Sequence, residues 1–481
     1  MKIKSLIRKY NGMSVQMRAT IWFVLCSFIQ RGISFIVTPI FTRIMSVSEF
    51  GQFNEFLSWQ SILTVIVTLN LPWGVFEQGL VKFEDYKDQF TSAIEGLLLF
   101  LVIIWILIYL PFQEYFNSLF SLSSNQMLAL FILMWTSSIF SFWSATERLD
   151  YNYIRIVVLT VIVSVLKPLL GIIFVLTYDK AVDARIWSIV LVEAVCYIGL
   201  FFEHVKKGGV LISRKIWKYA LKFNIVLIPH YLSQTVLNSS DKIMIGKMVG
   251  SDASGIYSLA YSLSLILTVL NTSLLQALNP LIYRKIKEEK FNEIAKYTLP
   301  SLLMVGCLNM LLMLLAPEVI SIFAPSSYSE AVWIIPPVSM SVFFMYMYSL
   351  FATFEFYYEK TKFMSLATTI GAILNVFLNY IFIGWFGYIA AGYTTLVCYI
   401  LYAICHYMVM RYNCLKNKYQ VYNLHTLLLL SFFFISVSTV ILLSYISPLL
   451  RYMMIIMTIV LLLIFRNKIY SLCRDLIILK K

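Results

Sequence analysis

Arg31 stands inside an apolar run, with Ser27, Ser34, Thr38 and Thr42 at spacings of three and four around it. That period puts all five on one face of a helix. His230, Gln234, Asn238 and the adjacent Asp241 and Lys242 form a second stripe of the same kind, and Lys167 precedes Pro168 in a third apolar run. Arg31 lies about twelve residues into its run, or about 18 Å at ~1.5 Å per residue. A basic group at that depth costs at least ~2.5 kcal/mol on insertion scales, so it must meet an anion, a carboxylate or water.

Two readings of these bases stay open. In one, Arg31 and Lys167, with Ser34, Gln234 and Asn238, line a cationic, hydrated cavity that receives an anionic headgroup. In the other, each base is neutralised within the bundle by a carboxylate such as Glu77, Glu95, Glu193 or Asp241. Asp241, Lys242 and Glu77 are gate or coupling candidates. His230, beside Pro229, could exchange protons near neutral pH, or could simply hydrogen-bond. Asn375 and Asn379, one helical turn apart, are expected to bond between helices. No cofactor or metal is expected, and any coupling would be to H+ or Na+.

These stripes need membrane helices to hold them. Of 481 residues, 60% are hydrophobic and 13% charged, against about half and a quarter in soluble domains. Runs of about 20 apolar residues cross the hydrocarbon. They fall near 19–43, 53–75, 90–111, 126–146, 155–177, 186–204, 223–246, 255–280, 296–316, 331–354, 364–384, 387–410, 424–446 and 448–465. The reading is an all-α integral membrane protein of about fourteen spans. Pro39, Pro168, Pro229 and Pro280 are expected to interrupt or kink their spans.

Of the 38 basic residues, thirty fall in one alternate set of loops. Five (Arg43, Lys180, Arg185, Lys247, Arg451) fall in the other, and three (Arg31, Lys167, Lys242) lie inside spans. This bias puts both termini in the cytoplasm. It also explains the net charge of +14 without nucleic acid. The basic leader before the first span lacks a small-residue cleavage site, so that span reads as retained. The seven scattered cysteines read as small buried hydrophobes. The outer loops are short, the longest being 112–125 and 317–330, and leave no room for an extracytoplasmic catalytic domain.

Residues 43–53 resemble 247–257: a base, apolar positions, a small residue, a glycine and an aromatic coincide at an offset of 204. Gln30 then pairs with Gln234, and the two polar stripes superimpose. An offset of six spans gives parallel repeats, whose stripes would face a shared interior. The expected organisation is an N-terminal lobe over 1–205, a C-terminal lobe over 206–412, and two further helices with a cytoplasmic tail over 413–481. No Walker A, HExxH, GxSxG or DxD motif is present, and the four histidines are far apart, so an enzyme is not expected.

Three segments carry a family resemblance: Arg31-Gly-Ile-Ser-Phe-Ile-Val-Thr-Pro39 with Ser48-Glu-Phe-Gly51, Asp241-Lys-Ile-Met-Ile-Gly246 with Gly255-Ile-Tyr257, and Asn375-Val-Phe-Leu-Asn379 with Phe386-Gly-Tyr-Ile-Ala-Ala-Gly392. In these the chain resembles Wzx-type O-antigen and capsule repeat-unit flippases. Those form the polysaccharide-export branch of the multidrug/oligosaccharidyl-lipid/polysaccharide exporter superfamily. It departs from them where Gly384-Trp385 replaces the usual proline. The resemblance implies two six-helix lobes around a cavity in a bacterial inner membrane. It also implies alternating-access transfer of undecaprenyl-pyrophosphate-linked oligosaccharide for O-antigen or lipopolysaccharide assembly, with a polysaccharide polymerase and a chain-length regulator as partners. A cation-coupled multidrug antiporter of the same superfamily and a membrane polysaccharide polymerase are the competing expectations.

Overall fold

The computed structural model describes residues 12–359, 361–416 and 419–464. The start of the basic leader, Lys360, Lys418 and the tail with Cys473 lie outside the described residues. Regular structure among the described residues is helical throughout. In order the helices are α1 (Val15–Ile44), α2 (Val47–Val67), short α3 (Val75–Lys82), α4 (Lys87–Tyr109), short α5 (Gln113–Phe120), α6 (Ser124–Leu149), α7 (Tyr153–Thr177), α8 (Ala181–Gly208) and α9 (Arg214–Met248). Then follow α10 (Ser251–Ser264), α11 (Leu267–Lys287), α12 (Phe291–Leu314), short α13 (Ala316–Phe323), α14 (Ile335–Tyr357), α15 (Thr361–Phe386), α16 (Ala390–Lys416), α17 (Leu424–Ser444) and α18 (Pro448–Ile464).

Eleven helices or continuous helical runs among the described residues are long and apolar enough to cross a membrane. The remaining predicted spans correspond to α2, α9 and α18. Of these, α2 carries Glu49, Gln52, Asn54, Glu55 and Gln60, and α9 carries the His230–Lys242 stripe. These polar residues lower the hydropathy of α2 and α9. The predicted span 255–280 is two helices, α10 and α11, broken at Leu265 and Ile266.

Local chemistry sets the boundaries. Ser46 and Glu49 cap each other at the start of α2, Glu49 N donating to Ser46 Oγ (3.2 Å) and Ser46 N to Glu49 Oε2 (2.8 Å). At the corresponding place before α10 stands Gly250 with φ +131°, a backbone conformation that other residues avoid. The offset of 204 therefore reaches the helix ends: α1 stops at Ile44 and α9 at Met248, α2 starts at Val47 and α10 at Ser251. The prolines expected to interrupt spans do not end any helix, since Pro39, Pro168, Pro229 and Pro280 all sit within continuous ones. Packing neighbours in a bundle tolerate such prolines.

Contacts divide the chain into two compact units, Met1–Ile243 and Met244–Lys481. In the first, α8 packs on α7, α6 and α4, and α1 lies on α7. In the second, α16 packs on α14 and α15, and α12 on α14, α11 and α17. The last helix is pinned by Arg451, which donates to both Glu318 oxygens (2.6 and 2.7 Å), while Tyr445 donates to the Met313 carbonyl at 2.6 Å. The described cysteines are free; Cys26, Cys398 and Cys414 are buried as expected, but Cys307 and Cys405 are exposed.

Candidate functional site

A cavity of about 220 Å³ opens among α1, α7 and α8 of the N-terminal unit. Gln30, Ser34 and Phe41 reach it from α1, Ser164 and Lys167 from α7, and Arg185 and Ser188 from α8. Two candidates from the sequence, Ser34 and Lys167, therefore meet there. Lys167 also has one of the expected carboxylate partners: its Nζ lies 2.6 Å from Glu193 Oε1. The other Glu193 oxygen accepts from Thr136 Oγ1 of α6 at 2.7 Å. The Glu193 side chain is 7% exposed and that of Lys167 29%, and of the two only Lys167 lines the cavity.

Arg185 is the residue sequence reasoning missed. Its guanidinium lies 3.5 Å from the Phe41 ring centroid and 3.9 Å from that of Phe53, and Nη1 reaches Met45 Sδ at 3.4 Å. Aromatic faces hold a guanidinium by cation–π attraction and leave its N–H groups along its edges. A signal was present: Arg185 is one of only five bases on the disfavoured side of the charge pattern.

Arg31 is exposed on α1 and does not line the cavity, although its neighbours Gln30 and Ser34 do. Among the described residues Arg31 has no ion-pair partner. Two others of its stripe are turned onto their own helix: Ser27 donates to the Phe23 carbonyl and Thr38 to that of Ser34, each at 2.9 Å.

The α9 stripe is not brought into this cavity. Asn238 Nδ2 donates to the Gln234 carbonyl of its own helix at 2.9 Å, and the side chains of Gln234 and Asn238 are exposed. His230 is half-buried with its ring 5.7 Å from that of Tyr231, and Asp241 is buried. Lys242 beside it is partly buried. The first part of α9 is anchored within its unit, Trp217 Nε1 donating to Ala93 O (2.7 Å) and Asn224 Nδ2 to Leu69 O (2.9 Å). Glu77 lines a separate cavity of about 260 Å³ with Arg148 and Tyr151.

Each unit also buries a carboxylate–imidazole pair that the sequence did not disclose. His204 Nδ1 lies 2.5 Å from Glu95 Oε1, and His406 Nδ1 lies 2.7 Å from Glu355 Oε1. In the C-terminal unit Asn375 and Asn379 bond to the next helix as expected, Asn375 Nδ2 donating to Thr395 Oγ1 at 3.4 Å and Thr394 Oγ1 to Asn379 Oδ1. No cluster that could hold a metal occurs among the described residues.

The family model described as polysaccharide biosynthesis protein matches residues 17–285, more than half of the chain. A second, MatE, matches residues 227–381. A protein of the Lsg locus of Haemophilus influenzae is 22% identical over 205 residues, which is 41% of this chain and 51% of that relative. The match therefore spans about half the length of that protein. Among solved structures, the lipid II flippase MurJ in an inward closed conformation superposes with a TM-score of 0.65 at 14% identity, covering 90% of this chain and all of the other. An inward-facing multidrug resistance MATE family transporter gives 0.59 at 14% identity, over 80% and 99% of the two chains. These two likenesses establish the fold, and both relatives move substrates across membranes. The chain thus belongs to the polysaccharide biosynthesis protein family.

Proposed function

We propose that this chain is a flippase, not an enzyme. It carries undecaprenyl-pyrophosphate-linked oligosaccharide repeat units across the bacterial inner membrane by alternating access, for O-antigen or another surface polysaccharide. The observation that carries this reading is the cavity holding Lys167 and Arg185 inside a chain of the polysaccharide biosynthesis family. Two cations with flanking hydroxyls and an amide suit a diphosphate joined to a sugar.

The same reading takes fourteen spans with both termini cytoplasmic. It divides the chain into lobes over 1–205 and 206–412 and a helical pair with its tail over 413–481. Arg31, exposed on the same helix as Ser34, draws the anionic headgroup towards the cavity. Gln234 and Asn238, exposed on α9, accept sugar hydroxyls. Asp241, Lys242, His230 and Glu77 serve the change of access and its coupling to H+ or Na+. A polymerase and a chain-length regulator take over the product on the outer leaflet.

Depleting the protein tests this. Lipid-linked repeat units are expected to accumulate on the cytoplasmic leaflet while their assembly continues, and normal surface polysaccharide in depleted cells would refute the reading. In the same cells Arg31→Ala is expected to impair export with membrane abundance unchanged. A second reading, a cation-coupled multidrug antiporter, draws support from the MatE match over 227–381. Altered drug resistance without a glycan defect would favour it.

A further inference from the structure

We propose that the connector between α8 and α9, together with the start of α9, is a docking surface for anionic phospholipid headgroups at the membrane interface. This surface is separate from the cavity and does not depend on the cargo. The flippase reading supplies only its leaflet, the cytoplasmic one.

The stretch stands apart in its charge. Residues 205–222 hold six bases, Lys206, Lys207, Arg214, Lys215, Lys218 and Lys222, and no Asp or Glu. Membrane orientation asks only for an excess of bases and does not require carboxylates to be missing. The comparably basic stretch 283–296 of the C-terminal unit holds five bases and three glutamates, and it neutralises itself. There Lys285 pairs with Glu293 at 2.5 Å and Lys290 with Glu288 at 3.1 Å. In 205–222 only Lys207 has an ion-pair partner among the described residues, Glu203 at 2.8 Å.

Four of the bases share a face. At about 100° per residue, Arg214, Lys215, Lys218 and Lys222 fall within about 100° of arc on α9, and all four are exposed. Ile216, Ala220 and Asn224 take the opposite side and are buried. Just ahead, the connector exposes Val210, Leu211 and Ile212, the last by 75%. Exposed apolar residues beside a basic face suit a segment lying in the interface, where apolar side chains reach the acyl boundary and bases meet phosphates.

The surface is held in shape against α4. A β-carbon at Gly96 would collide with the Leu211 carbonyl, and one at Gly208 with that of Asp88. Trp217 Nε1 donates to Ala93 O at 2.7 Å. Glu84, Asp85 and Asp88, the carboxylates of this part of the chain, are exposed and form no ion pair with these bases among the described residues. Five of the six bases are lysines. An ammonium is a hydrated point charge without the planar fork that grips one phosphate at two points. Lysines spread over eight residues, about 12 Å at ~1.5 Å each, suit a field of phosphodiester headgroups better than a single diphosphate.

The test uses the full-length protein, stripped of lipid in detergent and given equal amounts of phosphatidylglycerol and phosphatidylcholine. Native mass spectrometry then weighs the lipids it retains. Wild type is expected to favour phosphatidylglycerol at least tenfold. Lys215→Gln/Lys218→Gln/Lys222→Gln should abolish that preference, since each base near a lipid surface is worth about fivefold. Lys215→Arg/Lys218→Arg/Lys222→Arg keeps the charge and should keep the preference. Lys285→Gln/Lys287→Gln/Lys290→Gln removes the same charge from the self-neutralised stretch and should leave the preference unchanged. Equal retention of the two lipids by wild type, or equal losses in the two Gln variants, would overturn the inference. Displacement of phosphatidylglycerol by equimolar farnesyl diphosphate would also overturn it, by assigning the stripe to a diphosphate-bearing lipid. Export in depleted cells is a separate readout: normal export with the lipid preference intact would sink the flippase reading and leave this inference standing.

Discussion

One helix pair of the N-terminal unit is joined by charge, and one helix pair of the C-terminal unit by neutral groups. Lys167 reaches across to Glu193 of α8, whereas Asn375 reaches across to Thr395 of α16. An amide–hydroxyl contact within a membrane contributes modestly and needs no counter-charge. An ammonium–carboxylate contact is tolerated only while both partners are present. The charged contact lies beside the cavity. The α15–α16 contact has the polarity of a structural helix contact.

The largest effect that would break this comparison is on stability. Lys167→Met strands a buried carboxylate and should cost about 3 kcal/mol, read as a lowered thermal midpoint in detergent. Lys167→Met/Glu193→Leu should recover most of the loss. A single variant as stable as wild type would mean that the charged contact is not closed as described.

What the units share gives the next test. His204→Leu and His406→Leu each take a partner from a buried glutamate whose second oxygen already lacks a hydrogen bond among the described residues. Each should destabilise by about 2 kcal/mol. A large loss for one and none for the other would show that the two pairs are not equivalent. Asn379→Leu should cost less, about 1 kcal/mol, and leave diphosphate binding unchanged, since it touches only the neutral contact. Impaired binding there would remove the distinction between the units.

The smallest effect is a pH dependence at Glu318. Burial works to raise its carboxyl, but the hydrogen bonds and charge of Arg451, a backbone hydrogen bond and the Tyr452 hydroxyl together outweigh it, so it ionises below the ordinary carboxylate range. A depressed folded value gives stability that is present above the unfolded value and lost as pH falls through the folded one. Stability should therefore fall on acidification in wild type and do so less steeply in Glu318→Gln/Arg451→Met. Parallel pH profiles would assign the loss to other groups.

The helices were legible in the sequence because hydropathy and loop charge are local properties. So was the turn repeated at an offset of 204, whose helix ends agree residue for residue. Polar stripes were legible as faces, since spacing alone fixes which side of a helix a residue takes. What those faces meet depends on tertiary packing. Ser34 and Lys167 share a cavity, while Gln234 and Asn238 stay on an exposed face of α9. Arg185 escaped notice because it sits one turn inside α8, where a boundary base resembles an interfacial anchor, and only the folded chain stacks it on Phe41 and Phe53. His204 and Glu95 are 109 positions apart, so their pairing could not be read from any local pattern.

The central claim is that this chain moves a diphosphate-linked glycolipid between leaflets. The most direct test reconstitutes the purified protein into liposomes loaded with undecaprenyl-pyrophosphate-linked oligosaccharide in one leaflet. A membrane-impermeant glycan-modifying reagent then reports the glycan's arrival in the other. Arrival at a rate well above protein-free liposomes, reduced by Arg185→Gln, is the predicted result. Glycan that stays in its original leaflet, with correctly oriented and folded protein under an imposed H+ or Na+ gradient, would contradict it.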